Sequence, residues 1–191
     1  STKRQAVRLL SCLQSLRHGG GRVFVAFLDF ENYFNTISLQ ALFYILRQSQ
    51  LCEKDVQALE RYYQAAYMQI RQEDGSSSAK INLGRGLRQG CPLSPVLGGL
   101  VVNAMVRGLA RVGGGIQHDS GVRLNTLAFA DDTAFVTESL GNMQLLFDRV
   151  HEFCSWAGVH INLAKSEVTG YDYGGCRALS TNSLTIGGGH L

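Results

Sequence analysis

The sequence lacks the features of a membrane, secreted or cysteine-rich metal-binding protein. Its 191 residues contain no run of about 18 apolar residues, and the first ten, STKRQAVRLL, do not have the layout of a signal peptide. Its five cysteines are odd in number and contain no C-x-x-C pair, which argues against a disulfide framework and a zinc site. The histidines show no pair at helical spacing either. We therefore expect an intracellular, reducing environment and no membrane partner.

The sequence also has little excess of positive over negative charge. The formal net charge is +3, which is compatible with a polyanionic partner but too small to argue for one. With 45% hydrophobic and 17% charged residues, the chain can bury one core. It is therefore predicted to be one globular domain, or part of one.

Apolar periodicity and turn residues predict the α+β class, with an antiparallel sheet and helices packed on one face. Ser38 and Ser94 are predicted helix N-caps, Gly158 is a predicted helix end, and Trp156 before it is expected in the core. The predicted helices cover residues 3–16, 38–47, 53–66, 94–112 and 142–158. The predicted strands cover 22–30, two short segments within 67–83, the hairpin 122–139, and the region from 161 onwards.

Two adjacent carboxylates, Asp131 and Asp132, stand between apolar runs in LAFADDTAFV. A third, Asp29, ends the predicted buried strand RVFVAFLDF, and neighbouring central strands would bring the three together. Three grouped carboxylates favour a divalent metal such as Mg²⁺, which prefers oxygen ligands. The alternative is a solvated Asp-Asp turn, because acidic residues are common in turns.

Four segments occur in an order that is more specific than any one of them. They are FLDFENYFNTIS, GLRQGCPLSPVL, LAFADDTAFV and GVHINLAKSEV. Together they resemble motifs A, B, C and D of the reverse transcriptase palm. The wording RQGCPLSPVL, FADDT and INLAKSE is most similar to the non-LTR retrotransposon (LINE-like) branch, with group II intron maturases next. The resemblance implies a polymerase right-hand palm and an RNA-directed DNA polymerase.

The resemblance also implies residue roles. Asp29, Asp131 and Asp132 would be catalytic and would bind two Mg²⁺ ions, with Mn²⁺ a possible substitute. Lys165 would protonate the pyrophosphate, although a plain surface lysine explains it almost as well. The implied nucleotide-binding residues are Phe34 under the sugar, Gln89 and Gly90 in motif B, and Phe129 and Ala130 before the Asp pair.

Residues 1–191 are expected to form a partial reverse transcriptase domain, the palm with part of the fingers. The N-terminal fingers and C-terminal thumb are expected to be missing from these residues, and the fragment alone is expected to be inactive. The implied partners are an RNA template, a DNA primer, dNTPs, the remaining fingers and thumb, and possibly an endonuclease domain. The nucleus is the expected location in a eukaryotic host. A non-catalytic RNA-binding or scaffolding descendant, or a decayed mobile-element copy, remains an alternative.

One departure from the family pattern lies beside the predicted site. After Phe34 the non-LTR branch commonly has aspartate, whereas this chain has Asn35. The change removes a charge but no metal ligand, so we expect the mechanism to be retained.

Overall fold

The computed structural model describes residues 2–117, 121, 123–129 and 132–191. The helices are α1 (Thr2–Gly19), α2 (Tyr33–Thr36), α3 (Leu39–Gln48), α4 (Glu53–Gln64), α5 (Ser94–Leu109) and α6 (Leu140–Ala157). The longer strands are β1 (Arg22–Glu31), β6 (Thr126–Phe129), β7 (Asp132–Thr137), β8 (His160–Asp172) and β9 (Arg177–Leu179). The two-residue strands are β2 (Tyr67–Met68), β3 (Ile81–Asn82), β4 (Ile116–Gln117), β5 (Arg123–Leu124), β10 (Thr185–Ile186) and β11 (Gly189–His190).

The five longer strands form one antiparallel sheet in the order β6-β7-β1-β8-β9. Strand β1 lies at its centre and pairs with β7 on one side and β8 on the other. The apolar run in β1 is explained by this position, because a central strand is covered on both faces. The predicted α+β class and antiparallel sheet are confirmed.

Side chains alternate along β1 between two separate hydrophobic clusters. Ala26 and Leu28 belong to the larger cluster, together with buried residues of α3, α5 and α6. Val25 belongs to the smaller one, with Cys12 of α1 and Val136 of β7. Helices α3, α5 and α6 therefore cover one face as predicted. Helix α1 differs from the prediction, because it packs against the opposite face through Leu9, Cys12, Leu13 and Leu16.

Two helix starts differ slightly from the sequence prediction. Helix α6 begins at Leu140, where the Ser139 side chain accepts a hydrogen bond from the backbone N–H of Asn142. Helix α5 begins at Ser94, which was expected to be the N-cap but is the first helical residue. Its hydroxyl donates to the carbonyl of Arg88 at 2.6 Å instead of capping the helix.

The end of α6 shows one prediction confirmed and one wrong. Gly158 has φ 72° and its N–H donates to the Cys154 carbonyl, so it ends the helix as a left-handed C-terminal glycine. Trp156, expected in the core, is 46% exposed. It lies on the outer side of α6 and contacts Tyr44 edge-on, with the ring centroids 5.7 Å apart.

Two hairpins flank the main sheet. The predicted strands within 67–83 form as β2 and β3, but each is only two residues long. Strands β10 and β11 form a C-terminal hairpin, which Gln144 of α6 holds through two hydrogen bonds with the backbone of Thr185. Across the described ranges, every helix is too short or too polar to cross a membrane.

Candidate active site

The register of β1 and β7 places two of the predicted carboxylates beside each other. Leu28 pairs with Thr133 in the antiparallel ladder. Continued by one step, this register would place Asp29 opposite Asp132. Directly opposed residues in such a ladder have Cβ atoms about 5 Å apart, so both carboxylates can reach one ligand.

Both carboxylates also lie on the same face of the sheet. Leu28 and Phe30 point into the cluster under α3, α5 and α6, so Asp29 between them points to the opposite face. On β7, Ala134 and Val136 contact the cluster under α1, which places Asp132 on that same face. Asp132 is exposed and Asp29 is half-buried. The pair is therefore open to a ligand at the sheet end, beyond the part that α1 covers.

The donor chemistry of this pair fits a hard divalent cation. Neither Asp29 nor Asp132 forms an ion pair within the described part of the chain. Two adjacent carboxylates repel each other unless a cation or a shared proton compensates. Over the same residues, no cluster of three or more His, Cys, Asp or Glu side chains is present. The fit to a metal rests on the Asp29 and Asp132 pair.

Of the predicted site residues that directly precede Asp132, the structure describes only Phe129. Phe129 is the last residue of β6, and its backbone pairs with Asp132. Ala130 and Asp131 lie outside the described residues, so the roles predicted for them remain predictions.

An irregularity in β8 faces Asp29. Phe27 pairs with Glu167 and Asp29 with Asn162, so only Leu28 of β1 faces the four residues 163–166 of β8. The bulge interrupts the ladder that would otherwise satisfy the N–H of Asp29.

Ser166 closes this gap. Its hydroxyl accepts the N–H of Asp29 at 3.2 Å and donates to the Asn162 carbonyl at 2.7 Å. Ser166 is only 8% exposed, so these bonds are shielded from water. A single hydroxyl therefore fixes the backbone that carries the Asp29 carboxylate.

Lys165 lies in the same bulge, next to Ser166, with an exposed side chain. The bulge thus brings the motif D segment to the strand that carries Asp29. The position is compatible with the predicted proton donor, and the role itself stays a prediction.

The segment after β1 positions Phe34. Tyr33 is buried, and its hydroxyl donates to the Gly98 carbonyl of α5 at 2.8 Å, which fixes the start of α2. The half-buried Phe34 contacts the Tyr33 ring edge-on. A Cβ on Gly98 would lie 2.8 Å from the Phe34 ring, so α5 needs glycine there. Tyr33 is a packing residue, whereas Phe34 turns one side outward.

Phe34 lines a cavity with the motif B loop. The cavity has a volume of about 380 Å³, and its lining includes Phe34, Gln89 and Gly90. Gly90 has φ 78°, and nothing lies within 4 Å of where its Cβ would be, so its backbone faces open space. The structure therefore brings together the three residues predicted to contact the nucleotide from motifs A and B.

The loop also contains an unusual cysteine environment. Hydrogen bonds, first from the backbone N–H of Leu93 and then from the Tyr62 hydroxyl, lower the pKa of the Cys91 thiol. The Tyr62 ring also carries the Arg88 guanidinium, 4.8 Å from its centroid. These contacts tie the outer side of the loop to α4.

Two residues beside the site were missed as functional residues. The sequence places Ser166 in the INLAKSE segment and Asn35 at a departure from the family pattern, and neither feature indicates a functional contact. The Asn35 side chain accepts a hydrogen bond from Gln89 at 3.0 Å. Sequence periodicity predicts neither contact, because each joins two segments that are more than 50 residues apart.

Comparison with known families agrees with these motifs. The family model described as reverse transcriptase (RNA-dependent DNA polymerase) matches residues 2–178. The chain is 28% identical over 176 residues to the retrovirus-related Pol polyprotein from the type-2 retrotransposable element R2DM of Drosophila melanogaster. It is 28% identical over 145 residues to the corresponding type-1 R2 polyprotein of Popillia japonica. These two matches include 88% and 74% of this chain, but only 16% and 20% of the length of the relatives.

Solved structures share the fold. The apo telomerase of Candida tropicalis, truncated from its C-terminal domain, matches with a TM-score of 0.70 at 16% identity, over 98% of this chain and 38% of that one. The telomerase of the same organism in complex with a TWJ fragment of telomeric RNA matches with a TM-score of 0.72 at 12% identity, over 97% and 34%. Identities this low support the fold alone.

The contact between Ser166 and Asp29 yields a stability prediction. Replacing Ser166 with alanine leaves the N–H of Asp29 and the carbonyl of Asn162 without this partner in a shielded position. We expect Ser166→Ala to lower the free energy of unfolding of the 191-residue chain by about 1–3 kcal/mol. Urea unfolding followed by circular dichroism measures this change.

The matched control is Ser155→Ala on the exposed side of α6, which should change the unfolding free energy by less than about 0.5 kcal/mol. Equal stability of Ser166→Ala and Ser155→Ala would show that the Ser166 hydroxyl does not hold Asp29.

Proposed function

The chain belongs to the reverse transcriptase family, and we propose that it supplies the palm of an RNA-directed DNA polymerase of the non-LTR retrotransposon type. The reaction is nucleotidyl transfer, in which a primer 3′-hydroxyl attacks the α-phosphate of a dNTP and pyrophosphate leaves. The chain spans about a fifth or less of its curated relatives. The activity therefore belongs to the longer polypeptide, to which this chain contributes the catalytic carboxylates.

The observation that carries this proposal is the register of β1 and β7, whose last pair, Leu28 with Thr133, directly precedes Asp29 and Asp132 on an open part of the sheet. A protein that only binds RNA gains nothing from two opposed carboxylates, which repel each other and also repel phosphate. A nucleotidyl transferase needs them, because they hold divalent metal where the nucleotide triphosphate enters. The catalytic alternative is thus favoured over an RNA-binding scaffold.

The chain's residues divide the work between metal binding and nucleotide positioning. Asp29 and Asp132, together with Asp131, would hold Mg²⁺, or Mn²⁺ in its place. When bound, two such ions would activate the attacking hydroxyl and stabilise the leaving oxygens. Phe34 would lie under the deoxyribose, and Gln89 and Gly90 would contact the nucleotide from the motif B loop.

Three further predicted residues complete the proposed site. Phe129 and Ala130 would lie beside the primer end, because they directly precede the Asp pair in the sequence. Lys165, exposed in the β8 bulge, would donate the proton that pyrophosphate takes up as it leaves. A general acid must lie within hydrogen-bond reach of the leaving oxygen, which an exposed and flexible lysine can achieve.

The proposed partners follow from the reaction. They are an RNA template, a DNA primer, dNTPs, and the fingers and thumb of the same polypeptide, with an endonuclease domain as a further component. Work on chromosomal target DNA would place the protein in the nucleus of a eukaryotic host. A group II intron maturase-type enzyme would use the same site, but the R2 polyproteins among the relatives favour the retrotransposon type.

The metal-binding role of Asp131 can be tested by primer extension. Because amides bind Mg²⁺ more weakly than carboxylates, Asp131→Asn in the intact polypeptide should lower the extension rate about 100-fold or more. Asp29→Asn should behave alike, whereas Asp55→Asn on the exposed surface of α4 should extend normally. Near-normal extension by a well-folded Asp131→Asn protein would contradict the catalytic proposal.

The position of Phe34 predicts sugar discrimination. A 2′-hydroxyl would have to displace packed ring atoms, which costs about 1–3 kcal/mol, or about ten- to a hundredfold in selectivity. Phe34→Val should therefore raise ribonucleotide incorporation by that factor, with a much smaller change for deoxynucleotides. The measurement is kcat/KM for matched ribo- and deoxynucleotides, with thermal melting alongside.

The control for Phe34 is Phe43→Val, a truncation in the core under α3. It should lower the melting temperature and leave the ratio of ribo- to deoxynucleotide use unchanged. If Phe34→Val gives this same pattern, Phe34 is only a core aromatic residue, and the metal site is unaffected by that result.

A further inference from the structure

The motif B loop is attached to the turn after β1 by its backbone. The N–H of Leu87 donates to the Phe34 carbonyl at 2.6 Å, and the N–H of Gly86 donates to the Ile37 carbonyl at 2.8 Å. Gly86 has φ 82°, and a Cβ there would lie 2.6 Å from the Asn35 carbonyl oxygen. Only glycine fits so close to the turn. The backbones of motifs A and B therefore form one rigid unit around Asn35.

One side-chain contact extends this unit to the cavity. The Gln89 Nε2 atom donates to the Asn35 Oδ1 atom at 3.0 Å. Within the described part of the chain, this is the one hydrogen bond that either side chain makes. Gln89 lines the cavity beside Phe34, whereas Asn35 does not. Asn35 thus contacts Gln89 from outside the cavity lining, and the residues on either side of Asn35 are held by the hydrogen bonds of Gly86 and Leu87.

We propose that Asn35 is a positioning residue for the incoming nucleotide, which acts by holding the carboxamide of Gln89 at the wall of the nucleotide cavity. This role rests on the proposed polymerase function. An unsupported glutamine side chain loses rotamer freedom when it contacts a ligand, at a cost in binding free energy. Asn35 lowers that cost because it orders Gln89 before the nucleotide arrives.

The chemistry of an amide explains what Asn35 does for Gln89. Its oxygen takes one N–H of Gln89, which leaves the other N–H and the Oε1 atom of Gln89 for the nucleotide. A carboxylate in this place has nearly the same shape and would accept the same hydrogen bond. Leucine has a similar size and cannot accept at all. Asn35→Asp and Asn35→Leu both keep the approximate size of the side chain, but only Asn35→Asp keeps the acceptor. A difference between the two variants therefore reports on the hydrogen bond and not on the shape.

The kinetic experiment uses the intact polypeptide. Asn35→Leu should raise the KM for dNTP about three- to tenfold with little change in kcat, as expected for one neutral hydrogen bond that orders a binding residue. Asn35→Asp should stay within about twofold of the wild type, because the acceptor is retained. Gln40→Leu, an amide removed from the exposed start of α3, should change neither constant.

A double variant distinguishes positioning of Gln89 from an independent effect. If Asn35 acts through Gln89, the variant Asn35→Leu/Gln89→Leu should be no worse than Gln89→Leu alone. Additive losses in the double variant, or an unchanged KM in Asn35→Leu, would overturn the proposal. If the wild-type polypeptide shows no primer extension, the polymerase function is contradicted instead.

A second measurement does not depend on activity. In the 191-residue chain, the side-chain amide protons of Gln89 can be observed by ¹⁵N-edited NMR. An amide held by Asn35 should give two shifted resonances with cross-peaks to Asn35. The two resonances should stay shifted in Asn35→Asp and should move to the positions of a free amide in Asn35→Leu. Resonances that are identical in all three proteins would overturn the positioning role, whatever the outcome of the kinetics.

Discussion

The pairing of β1 with β7 on one side and β8 on the other is the constraint on which the site depends. The last β1–β7 pair, Leu28 with Thr133, brings the neighbouring Asp29 and Asp132 to the same end of the two strands, and both carboxylates face away from α3, α5 and α6. A shift of the register by one residue would turn one of them into the core. The buried apolar residues on both faces of β1 fix the register, so the core also determines where the carboxylates meet.

The end of the same strand also organises the nucleotide side. Because of the bulge in β8, the N–H of Asp29 donates to the Ser166 hydroxyl and not to a strand carbonyl. After the end of β1, the chain continues directly into α2. The next residues attach to α5 through the Tyr33 hydroxyl and to the motif B loop through backbone hydrogen bonds. One continuous segment, residues 29–37, therefore carries Asp29 and Phe34 and contacts Gln89. Preorganisation of this kind lowers the free-energy cost of binding a substrate in a productive geometry.

Much of this arrangement could be predicted from the sequence. Periodicity and turn residues gave the strands and the longer helices, and the ordered motifs pointed to Asp29, Asp132, Phe34 and Gln89. Contacts that depend on tertiary packing could not be predicted. The four-residue helix α2 is too short for a periodic signal, and the Ser166 contact requires the register of β8. Helix α1 on the other face and the exposed Trp156 depend on which elements meet, which local patterns do not encode.

The central claim, that Asp29 and Asp132 form one divalent cation site, can be tested by titrating the 191-residue chain with Mn²⁺ and observing backbone amides by NMR. The account predicts selective paramagnetic broadening of the amides around Asp29 and Thr133, with loss of this broadening in Asp29→Asn. Broadening spread evenly over exposed acidic residues such as Asp55, or identical spectra for the wild type and Asp29→Asn, would contradict it.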